Sequence, residues 1–166
     1  MYEIEVVIAI SAVLAGWYFL GSYQNRKLTS KVWTAVLEQM EEFASEITVR
    51  ELGGSAFIAV AKGTRFPFRR IEMAYTSLPR EILINYLISK AMGRKDLLTV
   101  VADFNTTPKG ERTLRDFPDL AVDALSLRIQ WRSPNLRIIM SAEQAMNGSL
   151  KRVLSAVRTV CSSGLC

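Results

Sequence analysis

From Val6 to Leu20 the chain reads VVIAISAVLAGWYFL, and no charged residue occurs from Val6 to Asn25. As a helix, the eighteen residues Val6 to Tyr23 rise about 27 Å, close to the ~30 Å hydrocarbon thickness of a bilayer. Trp17, Tyr18 and Tyr23 gather toward one end, where amphipathic rings favour the membrane–water interface. Glu3 and Glu5 precede the run, and Arg26, Lys27 and Lys31 follow it. Three readings fit such a segment: a membrane anchor, a cleaved signal peptide and a buried core helix. A signal peptide wants a basic start and small residues at its cleavage site. Here the start is acidic, and Gly16-Trp17-Tyr18-Phe19 suits cleavage poorly. A core helix would seldom run this long so free of polar residues. The expectation is a permanent transmembrane anchor over residues 1–25. Positive flanks stay cytoplasmic, so the amino terminus should lie outside and residues 26–166 in the cytosol. Ala9, Ala12, Ala15 and Gly16 form a small-residue face that would let a partner helix approach closely.

Working outward, a chain of 166 residues leaves room for one domain beyond the anchor. Apolar residues make up 49% and charged residues 22%, which supports a core rather than disorder. Beyond Glu5 the chain carries 21 basic against 14 acidic side chains, a balance that suits an acidic partner such as nucleic acid or anionic lipid. There is no histidine, which removes the histidine-based nucleophile systems, the commonest general base and most zinc sites. The two cysteines, Cys161 and Cys166, sit in the last six residues and cannot staple a core. They are expected to be an inert tail.

Hydrophobic periodicity then lays out the domain. Leu28, Val32, Val36, Met40 and Phe43 fall on one stripe of a helix over 28–45, with Glu38, Glu41, Glu42 and Glu46 opposite. This helix should continue from the anchor with little hinge. The period changes to two over 47–52 and 55–62, and Gly53-Gly54 supplies the positive φ of a hairpin turn. A third strand follows over 69–77 with Ile71, Met73 and Tyr75 on one face. Pro79 and Glu81 suit the first turn of a helix that should bury Ile82, Leu83, Tyr86 and Leu87 and stop near Gly93. Strands are expected over 97–104, around Leu125–Trp131 with Trp131 on the buried face, and over 136–140. Ser141 and Gln144 read as a capping box opening a last helix to about Val160, only slightly weakened by Gly148. This order has no repeating βα unit. It predicts an α+β fold, a mostly antiparallel sheet with packed helices.

Chemistry is hard to assemble from these residues. No glycine-rich phosphate loop occurs. Asp116, Asp119 and Asp123 lack the spacing of a calcium loop and read as a solvated loop and helix start. No catalytic residue, cofactor or metal is expected. The charge pattern says more. Between Lys62 and Lys95 eight basic residues face only Glu72 and Glu81. Phe66 and Phe68 interleave with Arg65, Arg69 and Arg70 in a loop. Such a loop either contacts phosphates, a membrane surface or a protein groove, or its rings cover the sheet edge and its arginines are merely soluble. The docking-surface reading takes Arg65, Phe66, Phe68, Arg69 and Arg70 together with Arg94 and Lys95.

The order of elements over about 20–105 resembles calumin, the coiled-coil subunit of the PAT (protein associated with translocon) complex. The residues that carry the resemblance are Asn25-Arg26-Lys27-Leu28 with the amphipathic helix after it, and Ile71–Leu78 running into Arg80, Glu81, Ile82 and Leu83. Gly93-Arg94-Lys95 before the strand Leu97–Phe104 completes it. The resemblance implies a minimal form of that family, without its acidic luminal region and coiled-coil tail. It implies a non-catalytic cofactor of membrane-protein insertion or folding at the Sec translocon. A small partner membrane protein, the translocon, the ribosome and the lipid bilayer would be its contacts, and DNA would not. The other function class the residues fit is a membrane-tethered module binding anionic lipid or a signalling protein.

Overall fold

A computed structural model of the protein describes residues 2–105, 128–132 and 135–162. The first element is a single unbroken helix, α1, from Tyr2 to Met40, 39 residues long. It has no hinge at the 25/26 boundary, as the sequence implies. Its residues 3–16 are exposed all the way round, and its amino-terminal part is long and apolar enough to cross a membrane. From Gly21 onward one stripe turns inward: Gly21, Asn25, Thr29, Val32, Val36 and Met40, spaced by three and four residues. The same helix is thus bare at one end and core at the other.

Six antiparallel strands form one sheet in the order β1-β2-β3-β4-β6-β5. They are β1 (Ala44–Glu51), β2 (Ala56–Thr64), β3 (Phe68–Thr76), β4 (Leu97–Phe104), β5 (Arg128–Arg132) and β6 (Asn135–Ser141). Register places Val49, Ala59, Met73, Val100 and Ile138 in one row across five strands. That row lies on the face that the second half of α1 covers. Ala59 and Ala61 are fully buried there, and their small side chains suit the crossing of a helix. The sheet and helices make the chain an α+β fold, as expected.

Two short helices complete the covered face: α3 (Ala142–Met146) and α4 (Ser149–Val160). The Ser141–Gln144 capping box is present in both directions. The single last helix expected from periodicity is instead broken at Asn147-Gly148, where Gly148 takes φ 81° as the cap of α4. Gln39 of α1 ties the break down. Its carboxamide donates to Ala145 O at 2.6 Å and accepts from Lys151 N at 3.2 Å, so two backbone groups freed by the break are satisfied.

The remaining helix, α2 (Leu83–Ala91), differs from expectation in two ways. Pro79 and Glu81 lie ahead of it in a turn rather than in its first turn. Its apolar residues are not buried either: Ile82 and Leu87 are about half exposed, Leu83 and Tyr86 are intermediate, and only Ser89 faces inward fully. The hairpin expected at Gly53-Gly54 is present, closed by a 3-10 turn over Gly53–Ser55 with Gly53 at φ 71°. The acidic residues Asp116, Asp119 and Asp123 and the side chain of Trp131 lie outside the described residues, although the backbone of Trp131 pairs with Leu136 in β5–β6.

Candidate functional site

Where α1 stops being bare, a polar junction fastens it to the domain. The segment from Ser77 to Glu81 leaves β3 without regular structure, so its backbone groups need partners from elsewhere. Trp17 Nε1 donates to Arg80 O at 2.9 Å, and Asn25 Nδ2 donates to Leu78 O at 3.1 Å and to Glu81 Oε2. Gly21 permits this approach. A Cβ on it would stand 2.2 Å from Arg80 O, so no larger residue fits against that backbone. Asp96, just before β4, completes the junction. Its carboxylate takes two hydrogen bonds from the Arg80 guanidinium, at 2.9 and 2.7 Å, and one from Leu78 N at 2.7 Å. Arg80 also donates to Asn25 Oδ1 at 3.0 Å. Every polar atom of the buried Asn25 carboxamide is therefore engaged. The hydrogen bond to Asp96 raises the Arg80 pKa against the opposing effect of burial, which keeps the ion pair charged. Beside it the buried Tyr75 hydroxyl has no hydrogen-bond partner, and burial pushes its pKa upward.

One turn further along α1, Thr29 Oγ1 donates to Gly54 O at 3.1 Å and the Arg26 side chain lies over Gly54. The hairpin tip, the 77–81 turn, α2 and the start of β4 therefore gather at the end of the sheet nearest the bare helix. The opposite end carries the β2–β3 turn, where Arg65 N bonds Phe43 O at 2.8 Å beyond the end of α1.

This geometry divides the expected docking surface. Arg65, Phe66, Arg69 and Arg70 lie at the far end of the sheet, and Arg94 and Lys95 at the near end, a strand length of about 25 Å away. They do not form one patch. Phe68 belongs to neither group. It is fully buried against Phe43 and Phe104, with ring centroids 6.2 and 5.5 Å away. The cause is a bulge: the β3–β4 register shifts between Phe68 and Arg70, which turns Phe68 to the same face as Ile71. Phe66 remains half exposed, and Arg65 and Arg69 are exposed. Arg70 pairs with Glu72 at 2.7 Å in a solvent-exposed contact of little energetic weight. Arg94 and Lys95 are joined at the near end by Arg26, Lys27 and Lys90, all exposed.

Of the small-residue face, Ala9, Ala12, Ala15 and Gly16 are all exposed, and a Cβ on Gly16 would meet nothing. Within α1 the glycine that permits a close backbone approach is Gly21, which periodicity does not single out. Asn25 and Arg80 appear in the sequence only within the stretches quoted above, and nothing there marks them as partners of each other or of Asp96, because these partners are tens of residues distant. The one usable signal is Asn25, a polar residue on the apolar stripe. Among the described residues no three acidic or sulfur ligands converge to hold a metal. Cys161 is buried and disulfide-bonded, and Cys166 lies outside the described residues. No protein-family model matches the chain, and no curated protein sequence matches it.

Proposed function

We propose that this protein is a single-span, non-catalytic cofactor of membrane-protein insertion or folding that works at the Sec translocon. The observation that carries the reading is the junction of Gly21, Asn25, Arg80 and Asp96. It makes the span and the domain one body, so a contact made in the membrane is mechanically joined to one made outside it. The bare face of α1 with Ala9, Ala12, Ala15 and Gly16 is the docking side for a small partner membrane protein. The far-end turn, with Arg65, Phe66, Arg69 and Arg70, is the side for an acidic channel loop or ribosomal phosphates. The translocon itself enters through the resemblance to calumin. Co-purification from native membranes tests the reading: Sec-channel or ribosomal components should be recovered with the protein. Arg65→Glu, Arg69→Glu and Arg70→Glu together should abolish that recovery while circular dichroism stays unchanged, because exposed charges contribute little stability. Unchanged recovery by the folded triple variant would remove this surface.

The flanking charges favour a cytosolic domain. One observation favours the opposite orientation: a disulfide at Cys161 fits an oxidising compartment better. Protease added to sealed vesicles whose cytosolic face is inside decides between them. The cytosolic reading expects residues 26–166 to be spared, and digestion of the domain from outside would reverse the topology and end the translocon reading.

A further inference from the structure

The outward face of α2 is apolar. Ile84, Leu87, Ile88, Ala91 and Met92 recur at the spacing i, i+3, i+4, i+7 and i+8, which makes one helical stripe, and all five are exposed. Ile84 is 66% exposed and Met92 63%. The inward side holds Ser89, buried, and Tyr86, whose ring lies 6.2 Å from that of Trp17. In a water-soluble domain such a helix would be mounted with its faces reversed. Its position supplies the reason.

The length of bare helix sets where the bilayer must reach. Residues 3–16 are exposed on every side, and as helix they rise only about 21 Å, well short of ~30 Å of hydrocarbon. The span must therefore continue past Trp17 to the exposed Phe19, Leu20 and Tyr23. At that level the junction already holds Arg80 and, one turn on, α2. The bilayer that surrounds residues 17–23 of α1 on their free side thus meets the outward stripe of α2. Lys90, Arg94 and Lys95 lie toward the carboxyl-terminal end of the same helix and can reach lipid phosphates while their stems stay apolar.

We infer that α2 is a second membrane-contact element, which lies in the headgroup–acyl boundary of the leaflet beside Trp17 with Ile84, Leu87, Ile88 and Met92 in lipid. The inference rests on the reading of α1 as a span and deepens it: the occupant of the stripe is the lipid bilayer. It gives the domain two points of membrane attachment, which together fix its tilt as one span alone cannot.

The test is depth-dependent quenching on the full chain in phosphatidylcholine–phosphatidylglycerol vesicles. An environment-sensitive fluorophore is attached in turn to Val13→Cys, Asn85→Cys, Leu87→Cys and Ile88→Cys, each with Cys161→Ser and Cys166→Ser, and folding of each is checked by circular dichroism. The expected result is loss of intensity at 87 and 88 with lipids bearing a nitroxide high on the acyl chain, a blue shift, and protection from iodide. The label at 85, on the flank of the stripe, should be more open to iodide than either. Quenching at 13 by acyl-chain nitroxide with 87 and 88 open to iodide would overturn the inference and leave the span standing. No quenching at 13 would overturn the span, and the inference with it. Labels at 87 and 88 open in pure lipid but shielded in native membranes would replace lipid by a protein partner and also overturn it.

Discussion

Asp96→Ala should destabilise the domain by about 3–5 kcal/mol, read as the shift of its urea unfolding midpoint in detergent. The side chains of Arg80 and Asp96 are only 17% and 13% exposed, and removing one partner of an ion pair so largely withdrawn from water leaves the other charge poorly compensated. The loss does not stop at Arg80. Leu78 N also gives up its acceptor, and the turn that carries Leu78 and Arg80 to α1 loses the group that orders it. Asp96→Asn keeps an acceptor for Leu78 N and a weaker one for Arg80, so it should cost clearly less. Equal costs for the two variants would mean that the carboxylate charge contributes nothing to the junction.

Phe68→Ala should cost a similar amount, about 3–5 kcal/mol, as expected for truncating a fully buried aromatic side chain. Phe66→Ala, two residues away and half exposed, should change stability by no more than about 0.5 kcal/mol. The pair separates core from contact surface within one turn. If Phe66 serves a partner, its loss appears in co-purification rather than in unfolding. Two small stability changes would mean that the bulge does not deliver Phe68 to the core.

The pattern of these sites shows what a single sequence can disclose. The strands of β1 to β4 were legible because alternation reports directly which side chains share a face, and the row through Val49, Ala59, Met73 and Val100 follows from it. The Ser141–Gln144 cap was legible because both partners lie within four residues. Phe68 was not, since a bulge shifts the parity of everything before it and leaves no mark in composition. On α2 periodicity points to a buried face of Ile82, Leu83, Tyr86 and Leu87, whereas the apolar stripe is Ile84, Leu87, Ile88, Ala91 and Met92 and is exposed, because an apolar pattern does not by itself say which face meets the core. The shared role of Asn25, Arg80 and Asp96 was not legible, because a junction closed between residues 25, 80 and 96 exists only once the fold has brought them together.

The long helix α1 and the domain are held as one rigid body at Gly21, Asn25, Arg80 and Asp96. Pulsed electron-spin distance measurement in lipid nanodiscs tests it most directly. The labels are attached to Ile8→Cys on the bare helix and Lys62→Cys on β2, both exposed, in the Cys161→Ser, Cys166→Ser chain. One narrow distance distribution is expected, which broadens when Asp96→Ala is added. A broad or multi-peaked distribution before that change would contradict it, because it would mean that the domain moves freely on its membrane helix.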